Sequence, residues 1–243
     1  VALLEVKQVS VHFGGVAALS EVDLDVDDGG VTGLIGPNGA GKTTLFNVIC
    51  GLQGADRGQV VLGGSDIGRL APHKRARLGI GRTFQRLEVF GSMTARDNIR
   101  VAGDVRRTWA SDVPPSAEVA DEILDRVGLR AVANERVDSL PTGLARLVEV
   151  GRALASRPRV LLLDEPSSGL SEDETDTFAN LLDDLSSEGL AILLVEHDVE
   201  LVMRACTRIH VLDFGRVIAV GTPAEIQQDR LVQSAYLGTV ADE

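Results

Sequence analysis

Gly36-Pro37-Asn38-Gly39-Ala40-Gly41-Lys42-Thr43 sets two outer glycines, a lysine and a hydroxyl residue at fixed spacing, after an apolar run at residues 31–35 and before a helical pattern at residues 43–52. Glycines in such a loop let successive backbone N–H groups turn inward around an anion, and the start of the following helix adds its partial positive charge. Strand, glycine-rich loop and helix in that order are the context in which the motif wraps a polyphosphate, whereas a decorative glycine turn needs neither neighbour. Lys42 is then placed to reach the terminal phosphates and Thr43 to ligate magnesium, with Thr44 closing the segment.

Around this loop the hydrophobic pattern sorts the chain. Residues 3–11 and 19–26 alternate apolar with polar side chains, which predicts half-buried antiparallel strands of an edge sheet, completed around residues 59–62 with Gly63-Gly64 as a turn. Residues 160–163 and 191–195 are wholly apolar and read as parallel strands covered on both faces, with a helix over residues 172–187 between them. From residue 72 to about residue 157 the period becomes helical, notably over 117–127 and 144–155, interrupted by a loop at 109–115. The expectation is one α/β domain over residues 1–243: a doubly wound P-loop NTPase core, an N-terminal antiparallel β-subdomain, and an inserted α-helical subdomain at approximately 72–157.

The apolar run at 160–163 ends in Asp164-Glu165-Pro166, and strand C-terminal ends are where open α/β sheets place their chemistry. Asp164 is expected to hold magnesium through water, and Glu165 to polarise an attacking water as general base. Taken alone, an exposed acidic strand end would serve as well. His197 follows the strand at 191–196 and is directed towards a γ-phosphate by the same sheet edge, although a lone histidine is more often structural. Gln85, in Arg82-Thr83-Phe84-Gln85, is a neutral side chain able to touch magnesium or water. Phe13, before Gly14-Gly15, either stacks on adenine or fills a core or edge position, and both readings stay open.

Composition removes other classes. A net charge of -12 argues against a surface that coats nucleic acid, so no nucleic-acid partner is expected. Residues 69–107 nevertheless hold ten Lys or Arg against three Asp or Glu, a local +7 within a remainder of -19, read as a solvated helical face ahead of a partner-docking face. Cys50 and Cys206 are too few for a disulfide framework, which points to a reducing compartment and the cytoplasm. No apolar run approaches the roughly 18 residues of a membrane span and no signal peptide opens the chain, so any membrane role runs through a partner. The start at Val1 in place of Met leaves open a domain cut from a longer polypeptide.

In order, the phosphate loop at Gly36, Gln85, a segment at Leu140, the carboxylates Asp164 and Glu165, a loop at Ser168 and His197 resemble the nucleotide-binding subunit of ATP-binding cassette (ABC) transporters over nearly the whole chain. The resemblance implies ATP and Mg2+ as cofactors and a dimer with a second nucleotide-binding subunit. Each of its two sites would join one phosphate loop to the other chain's signature segment, here Leu140-Pro141-Thr142-Gly143. It implies membrane permease subunits, separate or fused, docking in the groove around Gln85 and the helical insert. The place it implies is the cytoplasmic face of the plasma membrane. Phe13-Gly14-Gly15-Val16-Ala17-Ala18-Leu19, the Arg82-to-Phe90 segment and the ending from Gly221-Thr222-Pro223 to Tyr236-Leu237-Gly238 look like the branched-chain amino-acid importer branch, whose relatives also import urea or amides. ATP hydrolysis powering import of branched-chain or other hydrophobic amino acids is what that implies.

One departure matters: the family signature runs Leu-Ser-Gly-Gly-Gln, and only Leu140 and Gly143 survive here. Pro141 lacks both the hydroxyl and the N–H that serine would offer a partner's γ-phosphate, a loss on the order of a hundredfold in rate for one donor. Thr142 is a partial substitute. The expectation is an asymmetric heterodimer in which Gly36 and Glu165 work against an intact partner signature. The alternative is a subunit with weak or no hydrolysis and a structural or regulatory role. Ser171, where the family usually has Asp or Asn, is a milder departure. A cassette acting in DNA repair or on the ribosome would carry coiled-coil insertions or a second cassette, and a small-molecule kinase would need an acceptor pocket; neither pattern is present.

Overall fold

A computed structural model describes residues 1–111 and 113–234. Strands β1 (Ala2–Phe13) and β2 (Val16–Asp27) pair antiparallel, as their alternation requires, and turn Leu4, Val6, Leu19, Leu24 and Val26 inward. β3 (Val31–Ile35) is buried at all five positions and leads through the glycine loop into α1 (Lys42–Cys50), which stops where Gly51 adopts a left-handed φ of 79°. β4 (Arg57–Leu62) and β5 (Ser65–Asp66) return to the first sheet, whose order is β2-β1-β4-β5. The expected edge sheet is therefore present.

After α2 (Pro72–Arg77) the chain departs from its purely helical reading. Residues Ile80–Arg82 form β6, a strand parallel to β7 (Val160–Asp164) at the edge of the central sheet. Three residues cannot display a period of two, so the flanking helical pattern masked them. The helices α3 (Ala95–Arg107), α4 (Ser116–Arg126) and α5 (Thr142–Ala155) follow the expected segments. Then come α6 (Glu172–Ser187), β8 (Ala191–Val195), α7 (Val199–Ala205), β9 (Arg208–Asp213), β10 (Arg216–Gly221) and α8 (Pro223–Gln228). The hairpin of β9 and β10 was not anticipated, because its residues mix charge with apolar side chains.

The central sheet runs β10-β9-β3-β8-β7-β6, with β10 antiparallel and the others parallel. One face packs Leu34, Leu162, Leu193 and Leu212 against α1 and the first sheet around Phe46; the other packs Leu161, Leu163, Ile192 and Leu194 against α5, α6 and α7 around Phe178. Each fully buried Leu or Phe contributes about 1.5–3 kcal/mol relative to exposure. Both faces being covered explains why β7 and β8 read as unbroken apolar runs.

The basic stretch is only partly a solvated face. Arg69, Lys74, Arg77, Arg86, Arg100 and Arg107 are exposed, but Arg75 is buried. Its guanidinium donates to the carbonyls of Val48 and Ile49 at the C-terminal end of α1, and to those of Gly68 and Leu70. A cation at a helix C-terminus satisfies carbonyls that have no partner within the helix. Cys50 and Cys206 are free thiols. Among the described residues no helix is long and apolar enough to cross a membrane. Tyr236, Leu237 and Gly238 lie outside the described residues.

Candidate nucleotide site

The site is assembled where β3, β7 and β8 end. Gly36 and Gly41 take φ values of 148° and 111°. A Cβ at Gly36 would come within 1.9 Å of the Leu212 carbonyl oxygen, and one at Gly41 within 2.7 Å of that of Ala18, so only glycine fits either place. Gly41 is the N-cap of α1 and, having no side chain, leaves the first-turn N–H groups uncapped. Asn38, Gly39 and Thr43 are exposed, Pro37 and Thr44 half-buried, and Ala40 buried. Lys42 folds over the loop, its Nζ donating to the carbonyl of Gly36 at 2.5 Å and of Pro37 at 3.1 Å. Burial holds the ammonium below its ordinary pKa, while Glu165 and Asp164 pull in the opposite direction. The arrangement is an anion cradle with a cation kept in place by neutral carbonyls.

Asp164 is the last residue of β7 and is buried, and its carboxyl is pushed up by that burial, with Arg82 as the main opposing influence. Glu165 follows in the left-handed region at φ 51°, its N–H bonded to the Val195 carbonyl at 2.9 Å. This turns its side chain out of the sheet. Its Oε1 accepts from Gln85 Nε2 at 3.1 Å and lies 3.1 Å from His197 Nε2. Three residues far apart in the chain thus meet on one carboxylate oxygen, and a carboxylate so held can accept a proton from water in a fixed orientation.

The remaining expected residues sit elsewhere. Phe13 is 53% exposed at the end of β1, opposite Val16, so it is no core residue. Pro141 is the exposed N-cap of α5, Thr142 its exposed first residue, and Leu140 is half-buried. Gly143 is buried so closely against the loop after Glu165 that a Cβ would meet the Gly169 carbonyl oxygen at 2.5 Å. Among the described residues no hydrogen bond links this segment to Lys42, Glu165 or His197 within the chain.

Several polar groups around the site were not legible. Glu196, buried at the end of β8, accepts from the N–H groups of Ser167 at 2.8 Å and His197 at 3.2 Å, and burial raises its pKa. A strand ending in a carboxylate, the same signal as Asp164-Glu165, was available in Glu196-His197. On α5, Glu149 accepts from the Phe84 N–H at 3.1 Å, and Arg146 donates to the Phe84 carbonyl at 2.8 Å and to that of Gln85. The Gln85 loop is therefore fastened to the helix that begins at Thr142.

Among the described residues no group of three His, Cys, Asp or Glu is placed to hold a metal. Thr43, Gln85 and Asp164 are oxygen donors, the set that suits magnesium, which keeps waters and takes substrate phosphates in place of an all-protein cage. The residues fit a cation that arrives with a nucleotide.

A family model described as ABC transporter matches residues 19–168, and one described as branched-chain amino acid ATP-binding cassette transporter matches residues 216–242. The chain is 39% identical to the high-affinity branched-chain amino acid transport ATP-binding protein BraF of Pseudomonas aeruginosa, covering 97% of this chain and 98% of BraF. It is 33% identical to the lipopolysaccharide export system ATP-binding protein LptB of Haemophilus influenzae, covering 98% of each. A nucleotide-free ATP-binding cassette from an ABC transporter superposes with a TM-score of 0.87 at 29% identity, over 97% of this chain and 99% of the other. A dimeric cassette in a post-hydrolysis state with ADP and Pi gives 0.81 at 26%, over 90% and 98%.

Proposed function

The chain belongs to the ABC transporter ATP-binding family, and from that membership we propose that it hydrolyses ATP with Mg2+ to drive import of a small solute, branched-chain or other hydrophobic amino acids, through a membrane permease. The observation that carries hydrolysis is the Glu165 carboxylate held by Gln85 and His197, each at 3.1 Å, beside the buried Asp164. Glu165 accepts the proton of a water whose oxygen attacks the γ-phosphorus; the bond from that phosphorus to the bridging oxygen breaks, leaving ADP and phosphate. Gln85 and His197 orient the carboxylate and the water. Lys42 and the loop N–H groups of residues 36–44 bind the phosphates, and Phe13 stacks on adenine. Thr43, Asp164 and Gln85 would hold magnesium, which when bound neutralises phosphate charge.

Import of amino acids is supported by the match of residues 216–242 to branched-chain amino-acid cassettes. BraF and LptB are similar over the same span, so the rest of the chain does not separate import from export. The helical residues that follow the core strand β6, up to about residue 157, act as the inserted subdomain that meets the permease at the cytoplasmic face of the membrane. The chain pairs with a second cassette whose signature completes the site at Gly36, and the Pro141 segment makes the slower second site of a heterodimer.

The test is Mg2+-dependent ATP hydrolysis by the purified chain and its E165Q variant, alone and with a co-encoded cassette and permease, followed by leucine uptake into vesicles. Hydrolysis that appears with partners and vanishes in the variant is expected. ATP binding without hydrolysis in every pairing would instead show a structural subunit, and brisk hydrolysis by a homodimer would remove the asymmetry.

A further inference from the structure

Arg82 is almost wholly enclosed, with 7% of its side chain exposed, and every part of its guanidinium is engaged. Nη1 donates to Asn47 Oδ1 at 2.7 Å, Nε to the Thr83 carbonyl at 3.1 Å, and Nη2 faces Asp164 Oδ2 at 3.4 Å. Its Cζ lies over two rings, 4.6 Å from the centroid of Phe84 and 5.5 Å from that of Phe46. These partners belong to three separate pieces of nucleotide machinery. Phe46 and Asn47 are on α1, one turn past Lys42; Thr83 and Phe84 lead into Gln85; Asp164 ends β7. Thr83 reinforces the junction, since its Oγ1 accepts from the Asp164 N–H at 3.0 Å. Asp164 Oδ1 accepts no hydrogen bond among the described residues, so the brace takes one carboxylate oxygen and leaves the other.

We propose that Arg82 is a positioning residue for the magnesium-nucleotide complex: it fixes the Asp164 carboxylate relative to α1 and the Gln85 loop, so that the free oxygen is held towards the cation that accompanies ATP. The inference rests on the nucleotide reading above. A planar fork is needed, because one group must bond Asn47 and Asp164 while its Cζ lies over two rings; a lysine supplies a point charge without the fork. Outer partners of a metal-binding carboxylate contribute 10–100-fold to metal affinity in general, although they never touch the ion. Arg75, on α2, is the natural comparison: also a buried arginine braced against α1, it bonds only backbone carbonyls and, among the described residues, makes no hydrogen bond or ion pair with Asp164.

The experiment titrates the purified chain with a fluorescent ATP analogue, in EDTA and in excess Mg2+, and takes the ratio of the two dissociation constants as the magnesium advantage. Thermal unfolding is recorded for each variant. Arg82→Met is expected to lower the advantage by about tenfold with affinity in EDTA nearly unchanged, and Arg82→Lys to fall between. Arg75→Met should lower the unfolding temperature and keep the wild-type advantage. If Arg82→Met loses stability as Arg75→Met does and keeps the full advantage, Arg82 only packs the core and the proposal fails. Should Arg82→Met not fold, Arg82→Lys and Asn47→Ala carry the same comparison, and an unchanged advantage in both overturns it. Wild-type chain that binds the analogue in neither condition would remove the nucleotide reading itself, an outcome distinct from the loss of Arg82's role.

Discussion

Helices α1 and α5, like α2 and α4, begin without a side-chain cap, but the first turns of α1 and α5 are equipped differently. Elsewhere α3, α6, α7 and α8 cap themselves with Thr94, Ser171, Asp198 and Thr222. At α1 the cap position is Gly41, which keeps its N–H and adds no bulk, and Lys42 follows at once. At α5 the position is Pro141, with neither N–H nor hydroxyl, followed by the exposed Thr142. Both starts are electrostatically receptive to an anion. Receptivity from the helix alone is therefore common to both, and the difference in binding power comes from the donors on the two or three residues at the tip.

The comparison can be broken at either end. The largest expected effect is at the complete site: Glu165→Gln should cut kcat by about 10²–10⁴ while nucleotide affinity is retained, read by steady-state hydrolysis beside fluorescent-nucleotide binding. Retained turnover would mean that another group accepts the proton. Lys42→Ala comes next, with a loss of about 10²–10³ in kcat/KM, since it removes the one cation of the α1 tip. At the incomplete site the change should be a gain. Pro141→Ser is expected to raise homodimer turnover by up to about a hundredfold, and a flat response would show that the α5 tip is not limiting.

The last expected effect is on stability and not on turnover; it lies outside both tips and separates loss of fold from loss of donors. His210 is buried, with Asp25 3.7 Å away, and burial lowers its pKa from the ordinary 6.5 to about 4. Between those values the unfolded chain binds more protons than the folded one, so stability is full above pH ~6.5 and declines as pH falls towards about 4, by up to about 3 kcal/mol. His210→Asn should flatten that decline in denaturant titrations at several pH values. A decline of equal depth in the variant would assign acid sensitivity to other groups.

Local signals were legible and long-range ones were not. The bounds of β3, β7, α6 and β8 follow from apolar runs and turn residues, and Gly51 ends α1 as read. Strand ends pointed to Glu165 and His197, and the resemblance's motif order added Gln85, but neither says that the three converge on one oxygen. That needs β6, too short for any period, to deliver the chain from the central sheet into the Gln85 loop. Arg82, Arg146, Glu149 and Glu196 escaped notice for the same reason: a buried charge is recognisable only once its partners, up to 82 residues away in the chain, are known.

Consecutive residues in that loop answer to different masters. The Thr83 N–H is bonded to the Leu162 carbonyl of β7 at 2.9 Å, whereas the Phe84 N–H is bonded to Glu149 of α5 at 3.1 Å. Any sliding of α5 along β7 must therefore be taken up within a single peptide link. Because Gln85 is the next residue, that link works as the pivot of a short lever whose tip is the amide resting on Glu165. A shear of small amplitude at the helix would reach the carboxylate as a swing of the amide.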